Sequence, residues 1–181
     1  MITHPTAKQA ANANGATNAH LSPRSNRIPV SSSINPTSTG VLPDSEDYWH
    51  DTVRKHSLWG NLMAGGAGCE WYFGYKFAHN DLNCESWRSR EHMWDLTRYA
   101  LEFVRDHLPF ARMSHHDELT SAEDDYCLAD PGSVYAVYLP SGGVTDLDLG
   151  TSTDPFTIRW FNPRQGGPIV CRFSGSLCTA V

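Results

Sequence analysis

The sequence predicts an α+β fold: a helix–strand–helix segment of a β/α barrel or doubly wound sheet, followed by an antiparallel β-sandwich-like domain. Three observations lead there. Apolar residues recur at helical spacing in two stretches before Pro109, a run of aromatics lies between them, and beyond Pro109 the alternation changes to a period of two.

Residues 1–38 are rich in Ala, Asn, Ser, Thr and Pro, are interrupted by Pro23, Pro29 and Pro36, and follow neither period; they read as a disordered leader. Asp44 and Ser45 are placed to cap a helix over residues 46–63, with Val53, Ser57, Gly60 and Ala64 on one stripe and Trp49, Leu58, Trp59 and Leu62 beside it. Ala64-Gly65-Gly66 breaks it. Residues 67–76 read as one aromatic-bearing strand, and residues 77–85 as a polar loop. Ser86 caps a second helix that runs to Leu108, with a stripe of Met93, Leu96, Ala100, Phe103, Val104 and His107, and Pro109 stops it.

Short strands follow at 126–129, 134–139, 145–149, 156–161 and 169–173. Asp130-Pro131-Gly132, Ser141-Gly142-Gly143, Asp154-Pro155 and Gln165-Gly166-Gly167 separate them. Val134, Ala136 and Tyr138 alternate with Tyr135, Val137 and Leu139, so both faces of that strand are apolar and its place is central. The glycine pair after it predicts a hairpin of 134–139 with 144–149. Leu147 and Leu149 then face inward, near Trp160 or Ile158, while Asp146 and Asp148 face water; a slip of one residue would bury both aspartates. The tail at 175–181 lacks alternation, and the β-domain reads as truncated.

Charge and composition exclude some functions. The net charge is −6 and the 14 Lys and Arg are scattered, with no basic stripe for nucleic acid. No apolar run approaches the ~20 residues that cross a bilayer, and residues after Met1 do not form a signal peptide. The five cysteines form no CxxC pair. They read mainly as free buried thiols, with one disulfide if the parent protein is exported. No cofactor is expected.

The string from Asp124 to Gly143 (DDYCLADPGSVYAVYLPSGG), with Thr145 to Leu149 (TDLDL) and Ile158 to Gly167 (IRWFNPRQGG), resembles the collagen-binding domain of a collagenase. That domain follows apiosidase-like glycoside-hydrolase barrels in large bacterial proteins. Asp51 to Lys76 resembles the last helix–strand stretch of such a barrel. The resemblance covers about residues 40–170 and implies three regions. These are the leader at 1–38, a C-terminal piece of a (β/α)8 barrel at 39–112, and the collagen-binding β-domain at 113–181. It also implies an absence. Glycosidases of this kind need two carboxyl groups about 5–5.5 Å or about 6.5–9.5 Å apart, on barrel strands that would precede this chain. Where the seventh-strand acid is expected stands Ser33-Ile-Asn-Pro-Thr-Ser-Thr.

Glu70, Trp71, Tyr72, Tyr75, His79 and Asp81 are the densest chemical group. At the end of the last barrel strand they would line a substrate, the rings stacking on sugars and His79, Asn80 and Asp81 bonding hydroxyls. As structure, the aromatics fill a core and Glu70 pairs with an Arg. No catalytic residue is expected in this chain alone. Arg159, Trp160, Asn162 and Arg164 form a candidate sugar- or protein-binding patch, or else a buried Trp160 and an Asn162-Pro163 turn. His115, His116, Asp117 and Glu118 lack metal-binding spacing and read as a solvated linker. Glu123-Asp124-Asp125 likewise lacks calcium-loop spacing.

The expected function is that of a C-terminal fragment of a glycoside-hydrolase-like protein, not catalytic alone. Its accessory β-domain would bind a polysaccharide or extracellular polymer, and neither nucleic acid nor membrane. The alternatives are part of an active hydrolase whose carboxylates lie in a missing N-terminal region, and a non-functional truncated reading frame.

Overall fold

The computed structural model of the chain describes residues 2–3, 41–69, 71, 87–152 and 155–171. The first helical unit starts later than Asp44 predicts. Residues 44–49 form turns, and the helix runs from residue 51 as a π-helical stretch, Val53–Trp59, that tightens into α1, Gly60–Met63. The wider turn changes which residues are inward. Arg54, Leu58, Trp59, Leu62 and Met63 are buried, whereas Val53 and Ser57 of the expected stripe are half-buried. Asp44 instead serves the second helix, α2, Glu91–His107: its Oδ2 accepts the His92 N–H at 2.9 Å. A 3-10 turn, Trp87–Arg90, leads into α2. Met93, Leu96, Ala100, Phe103 and Val104 are buried as the stripe predicts, while His107 is exposed.

The strands are β1 (Ile2–Thr3), β2 (Ser114–His115), β3 (Tyr126–Asp130), β4 (Val134–Tyr138), β5 (Thr157–Trp160) and β6 (Val170–Cys171). They form one antiparallel six-stranded sheet among the described residues, in the order β2-β3-β4-β1-β5-β6. The mixed helix-and-sheet class is as expected. A facing second sheet, which a sandwich requires, is not present among the described residues.

Helices and sheet share one core. Leu58, Trp59, Leu62, Met93, Leu96, Ala100 and Phe103 pack with Leu128, Ala136 and Tyr138, so a boundary at residue 112 runs through a continuous apolar cluster. Cys127, Ala129 and Tyr135 point to the other side of the sheet, where Leu119, Val137, Leu147, Leu149 and Phe156 cover them. That side is closed by irregular chain.

β3 and β4 are joined by Asp130-Pro131-Gly132-Ser133, in which the Ser133 N–H bonds Asp130 O at 2.9 Å and Gly132 has φ +79°. This is a type II turn, with Pro where φ is preset and Gly where φ is positive. β4 is central, as its two apolar faces predict. Its expected hairpin partner is wrong. β3 takes one edge of β4 along its length and the backbone of Ile2–Thr3 takes the other beside Val134 and Tyr135, and 144–149 does not pair with β4. It meets residues 119–121 instead, through a Thr120–Leu147 bridge and the bonds Ser121 N–H to Asp146 O (3.1 Å) and Asp148 N–H to Leu119 O (2.8 Å). The predicted facing survives: Leu147 and Leu149 are half-buried, Asp146 and Asp148 exposed. The pairing of Ile2–Thr3 also departs from a leader disordered throughout; residues 4–40 lie outside the described ones, as do Ser86 and the tail at 175–181. Of the strand expected at 67–76, residues 67–69 and Trp71 are not in a strand, and the others lie outside the described residues.

Leu96→Ala is expected to cost about 2–5 kcal/mol in urea unfolding, because its buried side chain leaves a cavity. Asp146→Ala should stay within about 0.5 kcal/mol; similar losses from both would place the core elsewhere. The thiols test the same picture. Cys127 is buried, and burial, then the charges of Asp117 and Glu118, push its thiol up to about 12, whereas Cys171 is exposed, contrary to the expectation of buried thiols. In native protein at mildly alkaline pH, Cys171 should react with a disulfide reagent while Cys127 reacts only on unfolding.

Candidate functional site

The site grows from the crossing of the first helical unit over β4. Gly60 lies against the Tyr126 ring, where an added Cβ would stand 3.3 Å from Cζ and from Oη, so the helix comes close to the sheet. Trp59 consequently stacks on Tyr138, with ring centroids 5.1 Å apart and planes 15° apart. Phe103 of α2 and Phe161 after β5 complete the cluster, their centroids 4.7 Å apart.

These rings line a cleft of about 360 Å³, together with Leu139, Gly142, Gly143, Thr145 and Leu147 and, from β5, Ile158, Arg159 and Trp160. Leu147 lines this cleft with Ile158 and Trp160, while its packing is against the cluster of Cys127, Ala129 and Tyr135. Trp59 is 2% exposed, and its indole N–H has no hydrogen-bond partner among the described residues. Arg159, Trp160 and Phe161 are half-buried. Among the described residues, no Asp or Glu lines the cleft.

The expected patch divides here. Arg159 and Trp160 line the cleft; Asn162 and Arg164 do not. Asn162 Oδ1 accepts the Arg164 N–H at 2.9 Å, and the Gly166 N–H bonds Asn162 O at 2.9 Å, so Asn162 builds the β5–β6 turn. Gly166 is obligatory there: its φ is +63°, and a Cβ would meet the Tyr99 ring at 2.4 Å. Arg164 lies over the Trp49 ring at 5.7 Å and 3.6 Å from Asp51.

Beneath Arg164 sits a buried guanidinium. Arg54 donates to Tyr138 Oη at 3.1 Å, to Trp49 O at 3.3 Å, and to Asp51 Oδ1. Burial pushes the Tyr138 phenol up, against the opposing pull of Arg54. Burial also raises Asp51, but the hydrogen bond and charge of Arg54, with Lys55 and Arg164, outweigh it and hold the carboxyl below its ordinary value of 3.8.

Of the aromatic group at 70–81, only Trp71 is described. Its Nε1 donates to Thr97 Oγ1 at 2.9 Å and its ring packs on the core, which matches the structural reading. Glu70, Tyr72, Tyr75, His79 and Asp81 lie outside the described residues. Residues 115–118 are more ordered than a solvated linker: Asp117 is buried and accepts the Cys127 N–H at 2.8 Å. Among the described residues, no three His, Cys, Asp or Glu side chains gather as they would around a metal ion. No described helix is long and apolar enough to cross a membrane. Trp59, Tyr138 and Phe161 were missed as site residues, because their sequence signal is only core periodicity.

Asp51 supplies a pH test. Its lowered folded pKa makes its contribution fully present above the unfolded carboxylate range and lost as pH falls through the folded value. Asp51→Asn should therefore destabilise the protein near neutrality, with the difference from wild type closing in acid. A difference independent of pH would remove Asp51 from the Arg54 network.

Comparison with protein-family models, curated proteins and solved structures gives no match for this chain.

Proposed function

We propose that the chain is a carbohydrate-associated accessory module, not a glycosidase by itself, that holds a polysaccharide in the aromatic cleft. The observation that carries this is that half-buried Trp160 and Arg159 line the same cleft as Trp59, Tyr138 and Phe161. Sugar rings present apolar C–H faces that pack on aromatic rings, while a guanidinium and an indole N–H bond hydroxyls. Among the described residues no carboxylate lines the cleft, and glycoside hydrolysis takes a pair of them. On this reading the two helices correspond to the tail of an apiosidase-like (β/α)8 barrel, and the strands to the collagen-binding β-domain that resembles residues 124–167.

Affinity electrophoresis through gels containing neutral polysaccharides tests it. At least one polymer should retard the protein, and Trp160→Ala should weaken binding about tenfold, equivalent to about 1.4 kcal/mol. The purified chain should leave aryl glycosides intact. Absence of retardation in every gel, or binding indifferent to Trp160, would sink the proposal; turnover that disappears in Glu70→Gln would make the chain a hydrolase instead.

A further inference from the structure

At the edge of the sheet farthest from β6, three side chains form a hydrogen-bonded line. Ser114 Oγ is 3.0 Å from His116 Nε2, and His116 Nδ1 is 2.8 Å from Glu118 Oε1. Burial raises the Glu118 carboxyl, but its hydrogen bond from His116, a backbone hydrogen bond and the charges of His116 and His115 hold it below its ordinary range. A carboxylate only accepts, so Nδ1 donates to Glu118, and in the neutral imidazole Nε2 is the acceptor that faces the Ser114 hydroxyl. This is the order nucleophile, base, orienting acid that activates a serine.

The backbone explains the arrangement. His116 directly follows β2, with φ −146° at the entry to the 3-10 turn, and its ring lies beside the Ser114 hydroxyl. His116 is held by its N–H bond to Cys127 O at 2.7 Å. The 3-10 turn Asp117–Leu119 then brings Glu118 back to the imidazole, closed by Leu119 N–H to His116 O at 3.0 Å and anchored by Asp117 to the Cys127 N–H. Ser114 and His115 are exposed, and β2 is an edge strand among the described residues. Because amides alternate in an antiparallel pair, and His116 gives its N–H to β3, the His115 N–H is turned away from β3 toward the open edge.

We propose that Ser114 is a nucleophile for acyl transfer from small, neutral, activated esters, with His116 as general base and Glu118 as a positioning residue. Ser114 Oγ bonds to the acyl carbon as its proton passes to His116 Nε2. The ester C–O bond breaks, and the leaving alcohol takes that proton. Water then attacks the acyl-serine, again through Nε2, to give the carboxylic acid and the free hydroxyl. The His115 N–H is the backbone donor for the carbonyl oxygen. A neutral ester suits a site that carries Glu118 and a chain of net charge −6. The site is independent of the aromatic cleft, so the two proposals stand or fall separately.

The full chain, treated with an alkyl fluorophosphonate and mapped by peptide mass spectrometry, gives the test. Ser114 should be modified about 10²-fold faster than the exposed turn residue Ser141, the scale of one general base. His116→Gln should bring it down to the Ser141 rate, and Ser114→Ala should abolish the adduct with unchanged circular dichroism. Glu118→Ala should slow labelling and move the His116 tautomer toward Nε2–H in nitrogen-15 spectra, a change that loss of a merely structural contact would not produce. Labelling of Ser114 no faster than Ser141, or unaffected by His116→Gln, or a tautomer indifferent to Glu118, would overturn the proposal.

Discussion

The guanidinium of Arg54 is buried, and a buried charge is tolerated only when its donors are met. Asp51, Trp49 O and Tyr138 Oη meet them, and they come from the helix itself, from the turn before it and from the middle of the sheet. That requirement sets how the first helical unit is rotated on β4. With Arg54 aimed at Tyr138, Trp59 is brought over the same ring, Gly60 reaches Tyr126, and the His56 ring meets Tyr126 Oη at 3.1 Å. A straight α-helix would place residues five apart on different faces. The π-helical turn lets Arg54 and Trp59 both face Tyr138.

A second anchor ties the two helical units together. Asp44 accepts from His92 at the start of α2, and His50 Nε2 lies 2.8 Å from its other oxygen. His50 is fully buried with φ +45°, a costly conformation for a residue with a Cβ, held by its N–H bond to Asp47 Oδ1 at 3.0 Å. One carboxylate thus positions the chain entering the first helix and the first turn of the second. The cleft depends on both, since Trp59 comes from one unit and Phe103 from the other.

The sheet carries two kinds of surface. On one side the helices close it and leave the aromatic cleft at the β4–β5 end; on the other, irregular chain around Leu147, Leu149 and Phe156 covers a smaller cluster. At the far edge, β2 offers the exposed polar side chains of Ser114 and His115. The aromatic cleft and the hydrogen-bonded line of Ser114, His116 and Glu118 therefore lie at separate places on the sheet.

Much of this was legible in the residues. The stripe from Met93 to Val104 gave α2, the double alternation of 134–138 gave a central strand, and Pro131-Gly132 gave its turn. These signals are local: a period or a preset φ needs no distant partner. The facing of Leu147 against Asp146 was legible for the same reason. Its partner was not, because strand pairing is settled by distant segments: 144–149 meets residues 119–121, and Ile2–Thr3, far away in the chain, joins β4 at Val134 and Tyr135. Asp44 was readable as a cap but not as the cap of α2, a helix that begins 47 residues later. Arg159 and Trp160 were singled out by composition, yet only the crossing of two helices over β4 gave them a cleft and excluded Asn162 and Arg164 from it. The sequence by itself determined periodicities, turns and which faces are apolar, since these follow from each residue's own stereochemistry and hydration. The tertiary structure decided partners, rotation and the site, since these follow from how a buried charge and strand edges are satisfied across the whole chain.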